Sequence, residues 1–494
     1  MTAKISQCLK DLRLSLDRSF VVPGNFEHEQ LYSLTLPLTL DLIPHISTLS
    51  RPFLLWGRPD RQHFRLGLGV VKQITAKGAG RLETLQQGFQ NLVAGWRHDG
   101  EDIAISHPGA FCAFAFDEND NMAGPWRNVP NSLVLIPELL LEFKEGRYSL
   151  SFTCENNKLS KIKWLKNHWL KQSVKLLQAI AGSHYTSSDK NTLYRSPEKR
   201  AKDDWCQQVE KARNAITQGS LDKVVPARHV HVRSAEPLNI GRIFNHLIQH
   251  HASSLVVGMC LGDKTLAAAT PETLVALHNG KLSCDALGGT EKRLRDSRQD
   301  NLLAHKLLQD PKSRHEHQLI VKHLTTVVGQ YSDHLSVADA PTVMPLGQLQ
   351  HLWTPIKAQC RPGVSLFDIA QKLHPTPAVA GTPVDTAKQW IKNNEGFQRG
   401  WYTGSVGWLQ KDGNGELAVL LRCALLSDSS ADLYAGAGIV SDSDPLREWD
   451  ETELKLKTML NALSETELCW PDLSSNQAPA HSVYHSALKA NSHS

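Results

Sequence analysis

Two acidic clusters in the C-terminal half of the 494-residue chain contain the side chains best suited to chemistry. The first surrounds Glu316 in segment 313–321, and the second holds Glu448 and Glu451 in segment 444–455. Both segments have helical periodicity, which would turn these carboxylates inward. Because a buried carboxylate is costly unless a cation compensates it, the pattern predicts a hard metal ion facing an anionic ligand, and therefore an enzyme.

Each cluster also has a simpler interpretation. Glu316 shares an apolar helix face with Leu319, where it could pair with a core arginine. Glu448, Glu451 and Lys455 lie on one helix stripe and could form an exposed ion pair. Carboxylates from two helices nevertheless suit Mg²⁺, which takes oxygen ligands from protein and substrate. A zinc-protease motif is excluded because it requires histidine at position 319.

Two glycine-rich segments and two charged residues could complete such a site. Segments 286–290 and 435–439 follow predicted strands, so their backbone N–H groups could cradle a carboxylate, although tight turns also explain such glycines. Lys223 opens a predicted strand, and Glu272 follows a proline. In a closed pocket, desolvation favours the neutral forms of both groups, which then serve as base and acid. Outside a pocket they would be a strand-edge lysine and a loop acid.

The composition limits the class of protein. The net charge of +4 is small for this length and argues against a nucleic-acid partner, which needs a concentrated basic surface. The nine cysteines are scattered without a CxxC pair, which is typical of a reducing compartment. No apolar run is long enough to span a membrane, and the N-terminus lacks a signal-peptide pattern. We therefore expect a cytoplasmic protein without a membrane partner.

Strand and helix patterns are interspersed without a regular βαβ repeat, which predicts an α+β fold with large, mostly antiparallel sheets. Low apolar content marks two segments as exposed. We expect an N-terminal region contributing to a shared core (1–182), a linker (183–200), a catalytic region (201–465) and a flexible tail (466–494).

Within the catalytic region, three runs each have the pattern of one strand: Lys223–Val232, Thr265–Leu277 and Glu416–Leu426. The first acidic cluster falls in a predicted helix, Arg314–Val328. The second falls in a helix that Asp444 caps and that extends to about Leu463.

Eight short motifs follow one another between residues 223 and 452. They are Lys-Val-Val-Pro-Ala-Arg (223–228), Thr-Pro-Glu (270–272), Gly-Gly-Thr-Glu-Lys-Arg (288–293), Arg-His-Glu-His (314–317), His-Pro-Thr-Pro-Ala-Val-Ala-Gly-Thr-Pro (374–383), Leu-Arg-Cys-Ala (421–424), Ala-Gly-Ala-Gly-Ile-Val (435–440) and Glu-Trp-Asp-Glu-Thr (448–452). In this order they strongly resemble the chorismate-utilising enzymes, a family of isochorismate, salicylate, anthranilate and aminodeoxychorismate synthases. The resemblance covers about residues 200–460 and is weaker before them.

The resemblance implies two large sheets packed as a sandwich with helices outside, and a magnesium site. Glu316 and Glu451 match the family's metal ligands, with Glu448 nearby. Lys223 matches the lysine that activates water, and Glu272 is then the acid that protonates the departing hydroxyl. The substrate-binding positions of the family, including those for the enolpyruvyl carboxylate at Tyr402 and Arg422, fall on Gly289, Thr290, His351, Ala378, Tyr402, Arg422, Gly436, Gly438 and Lys455.

Three positions favour one activity within the resembled family. Anthranilate synthases carry glutamine in place of Lys223, aminodeoxychorismate synthases a nucleophilic lysine in place of Gly288, and salicylate synthases threonine in place of Ala378. The resemblance therefore implies isochorismate synthase activity on chorismate, with Mg²⁺ and without a glutaminase subunit. A salicylate synthase and a non-catalytic chorismate-binding subunit are the alternatives. The long N-terminal region favours menaquinone over siderophore biosynthesis. The resemblance implies alanine at position 288, where this chain has glycine. This difference affects the expected rigidity of the turn, not the expected reaction.

Overall fold

The computed structural model describes residues 3–20, 30–40, 45–46, 49, 51–100, 108–180, 192–195 and 201–464. These residues form ten α-helices and three short 3₁₀ helices, the latter over Pro59–Arg61, Gly124–Trp126 and Asn156–Lys161. The α-helices are α1 (Ala3–Ser19), α2 (Arg81–Ala94), α3 (Ile162–Ile180), α4 (Ala201–Thr217), α5 (Ile240–His250), α6 (Ser297–Gln309), α7 (Pro311–Gly329), α8 (Leu366–Leu373), α9 (Val384–Asn394) and α10 (Pro445–Ser464).

The strands of the described residues alternate irregularly with these helices. They are β1 (Leu31–Leu38), β2 (Phe53–Arg58), β3 (His63–Leu68), β4 (Lys72–Ala76), β5 (Trp96–Gly100), β6 (Gly109–Phe114), β7 (Ser132–Ile136), β8 (Leu139–Lys144), β9 (Arg147–Glu155), β10 (Leu193–Arg195), β11 (Lys223–Val224), β12 (Ala227–Ser234), β13 (Leu255–Leu261), β14 (Lys264–Thr270), β15 (Thr273–His278), β16 (Lys281–Lys292), β17 (Ser332–Val337), β18 (Thr342–Leu346), β19 (Leu349–Cys360), β20 (Gly381–Thr382), β21 (Ser405–Gln410), β22 (Gly415–Val419), β23 (Cys423–Leu426) and β24 (Ser430–Gly436).

Two large sheets account for nearly all of these strands. Sheet I has the order β10-β12-β24-β23-β14-β13-β2-β3-β8-β9-β1-β5. Sheet II has the order β17-β19-β16-β15-β22-β21-β6-β7-β4, with β18 also paired to β19. Strands β1 and β5 run parallel, and the other neighbours listed in these orders run antiparallel. The predicted α+β class with large, mostly antiparallel sheets is confirmed.

The sheets pack face to face, and helices cover their outer faces. Alternation along β2 illustrates this arrangement, since successive side chains point to opposite faces of a strand. Phe53 and Leu55 belong to a core shared with helices α3, α5 and α10, whereas Leu54 and Trp56 belong to the core between the sheets that includes Trp408 of β21. A third core lies between sheet II and helices α2, α7 and α8. The predicted sandwich with outer helices is therefore confirmed.

Two neighbouring segments carry the chain from one sheet to the other. Pro271 and Glu272 connect β14 of sheet I to β15 of sheet II, and residues 420–422 connect β22 of sheet II to β23 of sheet I. Because β14 pairs with β23 and β15 pairs with β22, the two connections run side by side. We call them the strand crossings.

The strand crossings overturn two local predictions. Thr265–Leu277 and Glu416–Leu426 do not form single strands, because each run divides between the two sheets. Pro271 lacks the N–H that a sheet ladder requires. Arg422 adopts a left-handed backbone with φ of 48°, which a continuous strand excludes. The predicted strand Lys223–Val232 is likewise divided into β11 and β12, at a segment that contains another proline.

The helices predicted for the two acidic clusters are confirmed as α7 and α10. The carboxylate of Asp310 accepts a hydrogen bond from the backbone N–H of Ser313 at 2.8 Å, which caps α7. Asp444 caps α10 in the same way, through the N–H of Arg447 at 2.9 Å, and Pro445 occupies the first helical position. These local interactions fix where each acidic helix begins.

The N-terminal region supplies β1–β9, which divide between both sheets. Within the predicted linker, residues 192–195 include the edge strand β10, which pairs with β12. The rest of that segment and the predicted tail 466–494 lie outside the described residues. In the part of the chain that the structure describes, no helix is long and apolar enough to cross a membrane, and the cysteines are free thiols.

Candidate active site

A cavity beside the strand crossings, under helices α7 and α10, collects most of the predicted site residues. Those that line it are Glu272, Gly289, Thr290, Glu316, His351, Ala378, Tyr402, Arg422, Gly436, Gly438, Glu451 and Lys455. Lys223 and Glu448 do not line it but contact groups around it. A larger depression of about 630 Å³ lies behind Tyr434 and contains none of the predicted residues. We place the site in the smaller cavity because the charged groups converge there.

Lys223 is completely buried next to this cavity. Its strand β11 pairs with β20, and its Nζ lies 2.9 Å from Oε1 of Glu316 on α7. The backbone of Gly438 passes close to both groups, since a Cβ there would lie 2.6 Å from Glu316 Oε1 and 3.0 Å from Lys223 Cε. A larger residue at 438 would therefore displace the hydrogen-bonded side chains of Lys223 and Glu316.

Glu272 lies in the first strand crossing and is 6% exposed. Burial, and to a smaller extent Asp285, raises the pKa of its carboxyl group to about 8, although Lys223 opposes the shift. The carboxyl group makes no hydrogen bond to any residue that the structure describes. Glu272 is therefore protonated at neutral pH and has a proton to donate.

Arg422 lies in the second strand crossing, also facing the cavity. Its guanidinium makes no hydrogen bond or ion pair to the described residues, and burial lowers its pKa to about 10. The phenol of Tyr402 lines the same wall, and burial raises its pKa above the ordinary value. Because a buried guanidinium normally has acceptors for its five N–H groups, this wall is suited to an anion.

Thr290 on β16 and His351 on β19 lie opposite each other in sheet II and form a small polar group. His351 Nδ1 lies 3.1 Å from the carbonyl oxygen of Gly289 and 3.2 Å from Oγ1 of Thr290. The carbonyl can only accept, so Nδ1 carries the hydrogen. Burial, with Arg422 as the next cause, lowers the pKa of His351 to about 3, so the ring is neutral. Gly289 has φ of 62°, and a Cβ there would lie 2.8 Å from Ser313 on α7.

Each predicted metal ligand pairs with a lysine. Besides the Lys223–Glu316 pair, Lys455 Nζ lies 2.6 Å from Glu451 Oε1, and Lys312 Nζ lies 2.7 Å from Glu448 Oε1. Burial and the neighbouring Glu451 raise the pKa of Glu448 to about 7. Burial alone would raise the pKa of Glu451, but the charge and hydrogen bond of Lys455, together with the charges of Lys312 and Arg422, hold that pKa below the ordinary value.

Comparisons with known proteins identify the family of this chain. The profile of the family described as chorismate binding enzyme matches residues 22–464. The chain belongs to the chorismate binding enzyme family. It is 30% identical to the isochorismate synthase MenF of Bacillus subtilis over 83% of this chain and 87% of that protein. It is 31% identical to the salicylate biosynthesis isochorismate synthase of Pseudomonas aeruginosa over 94% and 96%. The solved structure of MenF, the menaquinone-specific isochorismate synthase of Escherichia coli, superposes with a TM-score of 0.73 at 25% identity, covering 93% of this chain and all of that one.

In this chorismate binding enzyme, the sequence analysis missed several contributors to the site. Lys312 is the most important of them, because it interacts electrostatically with Glu448, Glu316 and Glu451 together. Its spacing of four residues before Glu316 on one helix face could have identified it. Tyr434, Val225 and Leu421 also line the cavity, but no short-range pattern distinguishes them from core residues.

The departure at Gly288 has a packing explanation. A Cβ at this position would lie 2.6 Å from Cδ1 of Ile320 on α7. Strand β16 and helix α7 therefore approach more closely here than alanine would allow with Ile320 in this rotamer. The pairing of β16 with β19 also shifts register between Gly288 and Thr290, which marks a β-bulge.

The residues expected to hold a metal fit a hard cation by their chemistry. Glu316, Glu448 and Glu451 offer carboxylate oxygens, which Mg²⁺ prefers. The negative charge of Glu451 raises the pKa of Glu448, so the two carboxylates repel each other, and a cation between them would relieve that repulsion. In the described ranges, however, no group of three or more His, Cys, Asp or Glu side chains is arranged to hold a metal ion. Binding one would require at least some of the lysine pairs to loosen.

Proposed function

We propose that this protein is an isochorismate synthase, which converts chorismate and water into isochorismate. The observation that carries the proposal is the convergence of three groups around one cavity: buried Lys223, protonated Glu272, and Arg422, whose guanidinium has no hydrogen-bond partner among the described residues. This set combines a base, an acid and an anion-binding group. The names of the similar proteins described above indicate the same activity.

Lys223 is the proposed base. Its amine takes a proton from water as the oxygen attacks C2 of the chorismate ring. The ammonium ion that forms lies beside the carboxylate of Glu316, whose Oε1 is 2.9 Å away and compensates the new charge. Positioned proton transfer of this kind contributes about 10²–10⁴-fold to a rate.

Glu272 is the proposed acid. Because burial raises its pKa to about 8, it can protonate the C4 hydroxyl, which leaves as water while the ring double bonds shift. One proton is taken by Lys223 and one is given by Glu272, so the reaction is balanced without a redox step. Return of the proton from Lys223 to Glu272, through solvent, restores the starting state.

The substrate carries two carboxylates, and the cavity offers a place for each. Arg422 and Tyr402 are the proposed donors to the enolpyruvyl carboxylate. Ala378 is a proposed contact of the ring, and its methyl side chain has no hydroxyl. The remaining proposed substrate contacts are Gly289, Thr290, His351, Gly436, Gly438 and Lys455.

Magnesium is the proposed cofactor, with Glu316 and Glu451 as ligands and Glu448 nearby. When bound, Mg²⁺ would compensate the negative charge of the ring carboxylate. The support for magnesium is the donor chemistry, since all three candidate ligands are carboxylates. Free cysteines in the described part of the chain support a cytoplasmic location.

Product analysis tests this function. The purified protein is incubated with chorismate, with and without Mg²⁺ and ammonium, and the products are separated. We expect isochorismate in the presence of Mg²⁺, independent of ammonium. Salicylate with pyruvate would indicate a salicylate synthase, and an ammonium-dependent product would indicate a glutaminase-coupled enzyme. No turnover under any condition would favour a non-catalytic chorismate-binding subunit.

A further inference from the structure

Arg399, just beyond α9, is a buried cation that does not line the cavity. All five N–H groups of its guanidinium are used. Nε donates to Glu395 at 2.9 Å, and Nη2 donates to Glu395 and to the carbonyl of Val225 at 2.6 Å. Nη1 donates to the carbonyl of Val379 at 2.9 Å and to Oγ1 of Thr403 at 3.2 Å.

Besides the Glu395 carboxylate, the acceptors are Val225, Val379 and Thr403. They belong to separate segments of the chain, and all three line the cavity. They lie within two residues of the proposed base, a proposed ring contact and a proposed carboxylate donor, which are Lys223, Ala378 and Tyr402. One side chain therefore connects three segments that are distant in sequence, in addition to the backbone pairing of β11 with β20.

The carboxylate partner extends the same group of contacts. Glu395 Oε1 also accepts the backbone N–H of Ala227 at 2.8 Å. Ala227 pairs with Gly436 across β12 and β24, and the carbonyl of Gly436 accepts from Lys455 at 2.8 Å. The contacts of Arg399 and Glu395 thus reach the cavity wall that carries Lys455.

We propose that Arg399 is a positioning residue for the reaction: with Glu395 it holds the Lys223, Ala378 and Tyr402 segments in the geometry that turnover needs. This inference rests on the proposed function. A planar guanidinium supplies five donors in fixed directions, whereas lysine supplies three from a single point. Lysine at position 399 therefore keeps the charge next to Glu395 but cannot satisfy all the segments at once.

The test compares Arg399→Lys with a matched control, Arg65→Lys. Arg65 is also buried and paired with a carboxylate, Glu142 at 2.8 Å, and it lies over the rings of Trp56 and Trp408. It does not line the cavity. Both substitutions remove a buried arginine that is paired with a carboxylate, so both should lower the melting temperature, but only Arg399 contacts the cavity wall.

Isochorismate formation is measured below the melting temperatures of both variants, with the folded fraction checked by near-UV circular dichroism. We expect kcat of Arg399→Lys to fall about 10²-fold, the loss typical of a displacement of about 1 Å at the reacting groups. KM should rise only several-fold, and kcat per folded molecule of Arg65→Lys should match the wild type. If Arg399→Lys does not fold, Thr403→Val, which removes one acceptor, should show a smaller kcat loss of the same type.

An unchanged kcat in folded Arg399→Lys, or an equal kcat loss in Arg65→Lys, would overturn the positioning role. So would a Thr403→Val variant with wild-type kcat where it replaces Arg399→Lys. If the wild type forms no isochorismate, the proposed function fails separately. Chorismate affinity, followed by tryptophan fluorescence, then tests the positioning role, which predicts weaker binding by Arg399→Lys and unchanged binding by Arg65→Lys.

Discussion

The strand crossings and the two acidic helices handle charge in opposite ways. At the strand crossings, neither Glu272 nor Arg422 has a hydrogen-bond partner for its side chain among the described residues. On helices α7 and α10, each of Glu316, Glu448 and Glu451 pairs with a lysine. Both regions border the same cavity.

The difference shows how burial selects a role for a carboxyl group. Without a partner, desolvation keeps Glu272 protonated at neutral pH, with a pKa of about 8, so it can act as an acid. With a lysine beside it, Glu451 stays ionised despite its burial, so it can hold a cation. The substrate is then expected to supply the partners that Glu272 and Arg422 lack. The metal is expected to compete with the lysines for the carboxylates on α7 and α10.

Replacement of Glu272 should have the largest effect. Glu272→Gln keeps the shape and neutrality of the protonated acid but removes the proton, so kcat/KM should fall by about 10²–10⁴-fold. Steady-state isochorismate formation measures this. Chorismate binding should remain near that of the wild type, and so should the melting temperature at pH 4, where the carboxyl group is largely protonated in both the folded and the unfolded state. A variant with more than a tenth of wild-type kcat/KM would show that Glu272 is not the acid.

Replacement of Arg422 should weaken binding more than chemistry. Arg422→Gln removes a charge-assisted hydrogen bond to the substrate carboxylate, so KM should rise by about 10- to 150-fold, the equivalent of about 1.5–3 kcal/mol. Because the wild-type guanidinium has no partner in the described residues, the free energy of unfolding should not fall. A large loss of stability with unchanged KM would indicate a structural role.

The pH dependence separates the two regions further. Because Glu272 acts in its protonated form, kcat/KM should fall about tenfold per unit as pH rises above its pKa of about 8. The folded pKa also lies above the ordinary unfolded value of about 4.3, so the stability from this group is complete below pH 4.3 and is lost as pH rises to 8. The stability advantage of Glu272→Gln should therefore grow across that range. An equal difference at every pH would contradict the assignment.

Removing a lysine from the helices should affect stability. Lys312→Met leaves Glu448 buried without its partner, and the free energy of unfolding should fall by about 1–3 kcal/mol, less than for a fully buried pair because Lys312 is 31% exposed. Denaturant titration measures this. Lys72→Met is the control, since its pair with Glu155 is more exposed and should contribute at most about 1 kcal/mol. Equal losses would mean that the helix pairs behave as surface pairs.

The smallest effect is expected where α7 meets sheet II. Gly288→Ala brings a methyl group against Ile320, and rotation of that flexible side chain should limit the cost to about 1 kcal/mol. Activity should be largely retained. Ile320→Val in the same chain should recover part of the stability. A severe activity loss would show that turnover does not tolerate even a small displacement of α7.

The sequence predicted the helical half of the site because its determinants are local. Asp310 and Asp444 cap their helices within three residues, and the acidic spacing follows from the helix repeat. Lys312 was missed although the same rule places it one turn from Glu316. The pairing of Glu316 with Lys223 spans 93 residues and has no short-range pattern.

The strand crossings could not be predicted from local pattern. Thr265–Leu277 has continuous strand character, and only the pairing of β14 with β23 and of β15 with β22 reveals that the chain changes sheets within it. The position of Glu272 between the sheets, and hence its raised pKa, depends on those long-range pairings. The acid role proposed for Glu272 therefore came from the family resemblance, and its physical reason, burial between the two sheets, came from the fold.

Infrared titration of the Glu272 carboxyl group tests the central claim most directly. The protonated-carboxyl band, obtained as the difference between wild type and Glu272→Gln from pH 4 to 10, reports this group alone. The account predicts a midpoint near pH 8. A midpoint near pH 4.5, with an ionised group throughout the neutral range, would contradict it.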